Sequence, residues 1–189
     1  MIVELGHAAL WLAAAFALLQ ALAPWLRAPA DDAGRWTGLA VPAALAQALL
    51  VSLAFGSLVW AFATSDFSVK LVAANSHTMK PMLYKLSGVW GNHEGSMLLW
   101  ILVMAVAGAA VALADSPLGD RFRALVLSMQ GVIALGFYAF LLAASNPFAR
   151  LAIAPTQGNG LNPLLQDPGL AFHPPMLYMG YVGFSVAFA

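Results

Sequence analysis

A histidine followed by two prolines, His173-Pro174-Pro175, stands at the entry to the last apolar run of the chain. Pro174 restricts the residue before it to extended backbone, and a proline in a first helical turn gives up an N–H that the helix would leave unpaired anyway. The pattern predicts a helix entered at Pro174, with His173 at its N-terminus. There the positive end of the helix dipole disfavours an imidazolium and leaves a ring nitrogen open to a metal, as in an axial ligand to haem iron. Tyr178, Tyr181 and Phe184 recur at three-residue spacing just below it and predict an aromatic wall for a porphyrin. The competing reading is that His173 caps the helix or hydrogen-bonds a loop carbonyl.

A second constellation lies in Trp90-Gly-Asn-His93-Glu94-Gly-Ser96. His93, Met97 and Trp100 fall at i, i+4 and i+7, so one helix face presents an imidazole, a thioether and an indole, a surface suited to a flat apolar ligand. An ordinary interfacial belt of Trp and His explains the same residues. Asn92 is placed to cap the helix, and Glu94 sits favourably against the positive end of its dipole. The stretch from Asn75 to Ser96 is too polar to face lipid and too aromatic for a plain linker. His7, Gln20 and Gln47 lie inside apolar runs, so they are read as facing other helices in packing or hydrogen-bonding roles.

The elements that must position these groups follow from composition. With 62% hydrophobic and 8% charged residues over 189, and a mean hydropathy of +0.83, the chain has too little polar surface to coat a water-soluble globule. A bilayer core about 30 Å thick needs about 20 helical residues, and residues 5–26, 39–63, 96–114 and 124–144 meet that length. A fifth apolar run, entered at Pro174 and beginning in earnest at Met176, is still apolar at Ala189 and is read as an incomplete span, residues 174–189, with more protein expected beyond it. The expected fold is all-α, a polytopic transmembrane helical bundle of four complete spans and the start of a fifth. Glu4 and His7 stand where a signal peptide would carry Lys or Arg, so the first run is a retained helix.

Residues 27–38 and 115–123 make short connections and 64–95 and 145–175 long ones, in alternation, so the long ones share a side. Arg27, Arg35, Arg121 and Arg123 on one side balance Lys70, Lys80, Lys85 and Arg150 on the other. The arginines of the short loops are denser and nearer helix ends, which favours those loops as cytoplasmic. The N-terminus and long loops then face outward. Ala13, Ala17 and Ala21 are four apart, a spacing that suits close helix packing.

Several classes are excluded. The net charge is zero, so no basic field exists for nucleic acid. There is no cysteine, hence no disulfide, iron–sulfur or zinc–thiolate chemistry. No Ser/His/Asp constellation, Gly-rich phosphate loop, HExxH helix or close pair of membrane carboxylates is present, which argues against a self-contained hydrolase, kinase or proton pump.

Trp90-Gly-Asn-His-Glu-Gly-Ser96, Asn162-Pro-Leu-Leu-Gln-Asp-Pro-Gly169 and His173-Pro-Pro-Met-Leu-Tyr-Met-Gly-Tyr181 resemble, in order, the strings of the CcmF family, the haem lyase components of cytochrome c maturation, and of its nitrite-reductase-associated relatives. Glu4-Leu-Gly6 and Ser145-Asn-Pro-Phe148 extend the resemblance over the whole chain. One departure is Gln157-Gly-Asn-Gly160, where the family pattern places an aspartate beside the Leu-Asn-Pro string.

The resemblance implies a bacterial inner-membrane haem lyase component with its long loops on the periplasmic side. Such a protein takes haem b as substrate from a periplasmic haem chaperone (CcmE-like). It attaches the haem to apocytochrome c, which a thiol-reducing chaperone (CcmH-like) supplies. His173 matches the first of the family's two external haem-ligating histidines, and Trp90, His93, Tyr178 and Tyr181 are the accompanying haem-contact candidates. The family's tryptophan-rich motif, its second external histidine and the two membrane histidines of a structural b-type haem would follow after Ala189, so these residues alone are expected to be inactive. The rival readings are a transporter whose pathway Gln47 and His7 line, and a structural component of a redox complex.

Overall fold

The computed structural model describes residues 1–26, 38–114, 119–160, 162–163 and 166–188. Long apolar runs rich in Ala and Leu, strong helix formers, give five long helices. Among the described residues these are α1 (Ile2–Leu22), α2 (Ala40–Ala63), α5 (His93–Leu113), α6 (Asp120–Ala143) and α7 (Pro168–Phe188), with two short helices, α3 (Lys70–Asn75) and α4 (Met82–Ser87), between α2 and α5. No named strand occurs among the described residues. Four of the helices, α1 with its 3₁₀ extension to Trp25, α2, α5 and α6, are long and apolar enough to cross a membrane. The chain is thus a polytopic transmembrane helical bundle. Arg27 and Arg35 lie outside the described residues, whereas Arg121 and Arg123 belong to the first turn of α6.

Each predicted span has its helix, but the starts move. α1, α5 and α6 begin three or four residues earlier than the apolar runs, at Ile2, His93 and Asp120, because polar residues at a helix entrance are tolerated at the membrane surface. Asn92 caps α5 as expected: its side chain accepts the Gly95 N–H at 2.7 Å. The larger correction concerns α7. It begins at Pro168, so Pro174 and Pro175 lie inside it and His173 is helical, not extended at a helix end. Pro168, with its preset φ, takes the first-turn role assigned to Pro174. The argument from the helix end for a neutral His173 ring does not carry over.

Lipid tails are as apolar as leucine, so association of these helices rests on close packing and buried hydrogen bonds rather than on hydrophobic burial. Ala13, Ala17 and Ala21 of α1 are all buried, and Gly131 of α6 meets that stripe so closely that a Cβ would stand 2.9 Å from the Ala21 nitrogen. Polar groups fasten the same seam. Ser128 Oγ donates to the Ala21 carbonyl at 2.6 Å and accepts from Trp25 Nε1 at 2.7 Å. Gln20 donates to the Leu127 carbonyl at 2.7 Å. Leu10, Val51, Leu58, Phe62, Leu98, Ile101, Tyr138 and Leu141 fill the centre of the bundle.

The two long connections lie on the same side, as their alternation requires, and fold onto each other. Lys70 N–H donates to the Ala149 carbonyl at 2.9 Å, and Leu151 N–H to the Ser68 carbonyl at 2.9 Å, a single antiparallel bridge. Gln157 and Thr78 exchange two hydrogen bonds, of 3.2 and 2.7 Å. The Asn159 and Gly160 N–H groups donate to the Ala73 and Ser76 carbonyls at 2.8 and 3.0 Å, so the segment that departs from the family pattern is docked on the end of α3. Arg150 joins Glu4 of α1 and Asp66 beyond α2.

Candidate functional site

α7 is the element that carries the histidine singled out in the sequence. It lies at the edge of the bundle and packs chiefly on α5. Its inward side holds buried Ala171 and Val182. His173, with Leu177, Gly180 and Phe184 at intervals of four, seven and eleven residues, forms the opposite strip. That strip is open: His173 is exposed, Phe184 is 73% exposed, and none of the described residues lies within 4 Å of where a Cβ on Gly180 would be.

The predicted aromatic wall is divided. Tyr178 and Tyr181 turn away from the strip to Trp100 of α5, with ring centroids 4.9 and 6.1 Å apart, and only Phe184 shares the face of His173. Trp100 also packs on Phe137 of α6 at 5.5 Å. The face of α5 read as a cradle is therefore filled at Trp100 by the protein's own rings, and Met97 packs against the core. His93 remains exposed at the top of that face, its Nδ1 3.0 Å from Ser145 Oγ and its ring edge-on to Phe140 at 5.7 Å. Glu94 lines a pocket of about 460 Å³ with Lys70, Asn92 and Asn146.

Trp90 reaches neither the strip nor the aromatic cluster. Its Nε1–H donates to the backbone carbonyl of Ala171 at 2.8 Å. In an α-helix that carbonyl would accept from the residue four further on, but this is Pro175, which has no N–H. The indole thus supplies the hydrogen bond that the proline withholds, tying the Trp90 string to the His173 string. Sequence reasoning missed this pairing. The available signal was the double proline, which, once inside a helix, leaves the carbonyls of residues 170 and 171 in need of donors.

The other sequence-singled residues take the roles expected of polar groups in membrane helices. Gln47 donates to Tyr138 Oη at 3.1 Å. His7 Nε2 accepts from Trp11 Nε1 at 3.2 Å, lies 3.2 Å from Asn146 Nδ2 and stacks on Phe148 at 5.8 Å. Both residues envisaged as lining a transport pathway are therefore engaged within the fold, and the Glu4-Leu-Gly6 and Ser145-Asn-Pro-Phe148 strings prove to be neighbours.

His173 stands apart from all of these, for its ring has no hydrogen-bond partner among the described residues. Nor do these residues contain a group of three or more His, Cys, Asp or Glu able to hold a bare metal ion. A lone imidazole above an open apolar strip suits an iron already held by a macrocycle better than a bare ion.

Fold and site together define a multi-pass membrane protein with a loop layer on one side and one unpartnered histidine beside it. The chain belongs to the cytochrome c assembly family: a profile described as "Cytochrome C assembly protein" matches residues 90–189. It is 59% identical over its full length to the cytochrome c-type biogenesis protein ccl1 of Rhodobacter capsulatus, of which it covers 29%. It is 54% identical to CycK of Rhizobium meliloti, also over its full length and 28% of that protein. Among solved structures it is similar to "Cytochrome c Heme Lyase CcmF", with a TM-score of 0.81 and 29% identity, covering 98% of this chain and 29% of that one. The chain thus spans less than a third of the length of these relatives.

Proposed function

We propose that this chain is the N-terminal part of a haem lyase of cytochrome c maturation, with His173 as an axial ligand to the haem it handles. The observation that carries the reading is the exposed His173 ring, free of hydrogen bonds within the described residues and set at the head of the strip of Leu177, Gly180 and Phe184. A histidine kept as a helix cap or loop anchor would be hydrogen-bonded. The family membership and the similarity to a named haem lyase support the same reading.

In this proposal haem b is the substrate, received at the outer face from a CcmE-like periplasmic chaperone. Apocytochrome c arrives from a CcmH-like thiol-reducing partner. Net addition of each cysteine S–H across a vinyl group forms one C–S bond, converts the C=C to a single bond and places the hydrogen on the other vinyl carbon. The sum requires no oxidant, but it requires reduced thiols, and this chain has no cysteine to compete for the haem. A further structural b-type haem would need histidines beyond those present here. The protein sits in the bacterial inner membrane, with the N-terminus and long loops periplasmic.

The test is the reduced absorption spectrum of the intact membrane-purified protein after haem delivery, wild type against His173→Ala. A haem band that weakens or shifts in the variant supports the ligand role. Identical spectra would return His173 to a surface position and reopen the transporter and scaffold readings.

A further inference from the structure

We propose that Trp90 is a positioning residue for His173: through its hydrogen bond to the Ala171 carbonyl it sets the direction in which α7 presents the imidazole. The inference rests on the reading of His173 as a haem ligand. It assigns Trp90 a grip on the helix backbone in place of a contact with the haem.

The double proline creates the need. Pro174 and Pro175 lack N–H groups, so two successive i→i−4 hydrogen bonds are missing from the turn that bears His173, and proline-interrupted turns are where helices bend. Without a substitute donor this turn would be the soft point of α7, and the imidazole would swing with it. Ala171 is buried against the bundle, where an unpaired carbonyl is costly. Tryptophan can only donate through its ring nitrogen, which matches the vacant acceptor.

Trp90 is itself held on a rigid corner. Asn92, besides capping α5, donates through Nδ2 to the carbonyls of Gly88 and Val89 at 2.7 and 3.2 Å. The Gly91 N–H donates to the Ser87 carbonyl at 2.9 Å. Val89 lies so close under the first turn of α5 that a Cβ on Gly95 would come within 1.6 Å of its carbonyl oxygen. The corner cannot retreat, so the indole holds a fixed point. Residues two apart in a helix project about 200° apart. A grip on the inward side at Ala171 therefore fixes the outward direction of His173.

The experiment compares haem b binding to the intact membrane-purified protein in wild type, Trp90→Phe, Trp90→Phe with Pro175→Ala, and His173→Ala, with the melting temperature of each recorded. Phenylalanine keeps the ring and removes the N–H, whereas alanine at 175 returns an intrahelical N–H to the Ala171 carbonyl. We expect Trp90→Phe to weaken haem binding about tenfold and shift the reduced band, in the range seen for outer-shell partners of metal ligands. The double variant should recover most of both. If His173→Ala loses the haem signal while Trp90→Phe binds as wild type does, the positioning role is overturned and the ligand reading stands. If Trp90→Phe loses binding and Pro175→Ala does not restore it, the indole acts through its bulk and the inference fails. If His173→Ala is indistinguishable from wild type, the ligand reading falls and takes this role with it.

Discussion

Gly131 of α6 rests on Ala21 of α1 with no room for a side chain between them: a Cβ on Gly131 would stand 2.9 Å from the Ala21 nitrogen and 3.0 Å from the Ala17 oxygen. Backbone is the obstacle on both counts, and backbone cannot rotate aside as a flexible side chain can. Gly131→Val should force α1 and α6 apart and lower stability by about 1–3 kcal/mol, the usual range for overpacking. Gly136, on the same helix with nothing within 4 Å, is the internal control. Gly136→Ala should hold or slightly raise the melting temperature in detergent, because alanine is the better helix former.

Gln130 is 2% exposed, yet neither its amide nitrogen nor its amide oxygen has a hydrogen-bond partner among the described residues. Removing an unsatisfied buried polar group and keeping its shape relieves a desolvation cost of about 1–3 kcal/mol. Gln130→Met is expected to leave the thermal midpoint unchanged or raise it. Gln47→Met, which strips the Tyr138 hydroxyl of its hydrogen-bonding partner, is expected to lower it. Two glutamines in one bundle should thus respond with opposite signs, and a fall at Gln130 comparable to that at Gln47 would show that its amide is satisfied after all.

Asp66 supplies a pH dependence of known sign. Burial alone would raise its carboxyl, but hydrogen bonds from Ser68 and the charge and hydrogen bond of Arg150 outweigh it and hold the group below its ordinary value of 3.8. The fold therefore favours the ionised form. The stabilisation is fully present above the ordinary carboxylate value and is lost as pH falls through the depressed one. A series of melts from neutral to acid pH should show this loss in wild type and a flatter profile in Asp66→Asn.

Lys80 runs the other way. Partial burial, followed by the neighbouring charge of Lys85, pushes it down from 10.5 to about 8. The folded state then binds fewer protons than the unfolded chain between those values, so stability should rise as pH climbs through that interval. Lys80→Gln should abolish this alkaline gain without touching the acid limb set by Asp66.

Much of the architecture was legible because lipid leaves few options: a run of apolar residues long enough to cross must be helical, and Asn92 announced the start of α5 through its capping chemistry. What escaped was the layer outside the membrane. α3 and α4 are six residues each, too short to leave a periodic trace, and the pairing of α3 with the 149–160 segment depends on contacts distant in sequence. The start of α7 was misplaced by six residues because proline reads equally well as a boundary or as an interior kink, and only the tertiary donor Trp90 makes the second choice possible. His173 was singled out by type and spacing. Its surroundings were not, since Tyr178 and Tyr181 follow Trp100 rather than their sequence neighbour.

The loop layer also dictates an order of assembly. Its fastenings join Glu4 to Arg150, Thr78 to Gln157 and Trp90 to Ala171, pairs separated by 146, 79 and 81 residues. Glu4 and Asp66 are therefore made long before Arg150, and they meet it only after the fourth span has followed them. The closing of long chain loops is the slow part of such folding. The loop layer beside which haem chemistry is proposed is thus joined only after the four spans beneath it have been made.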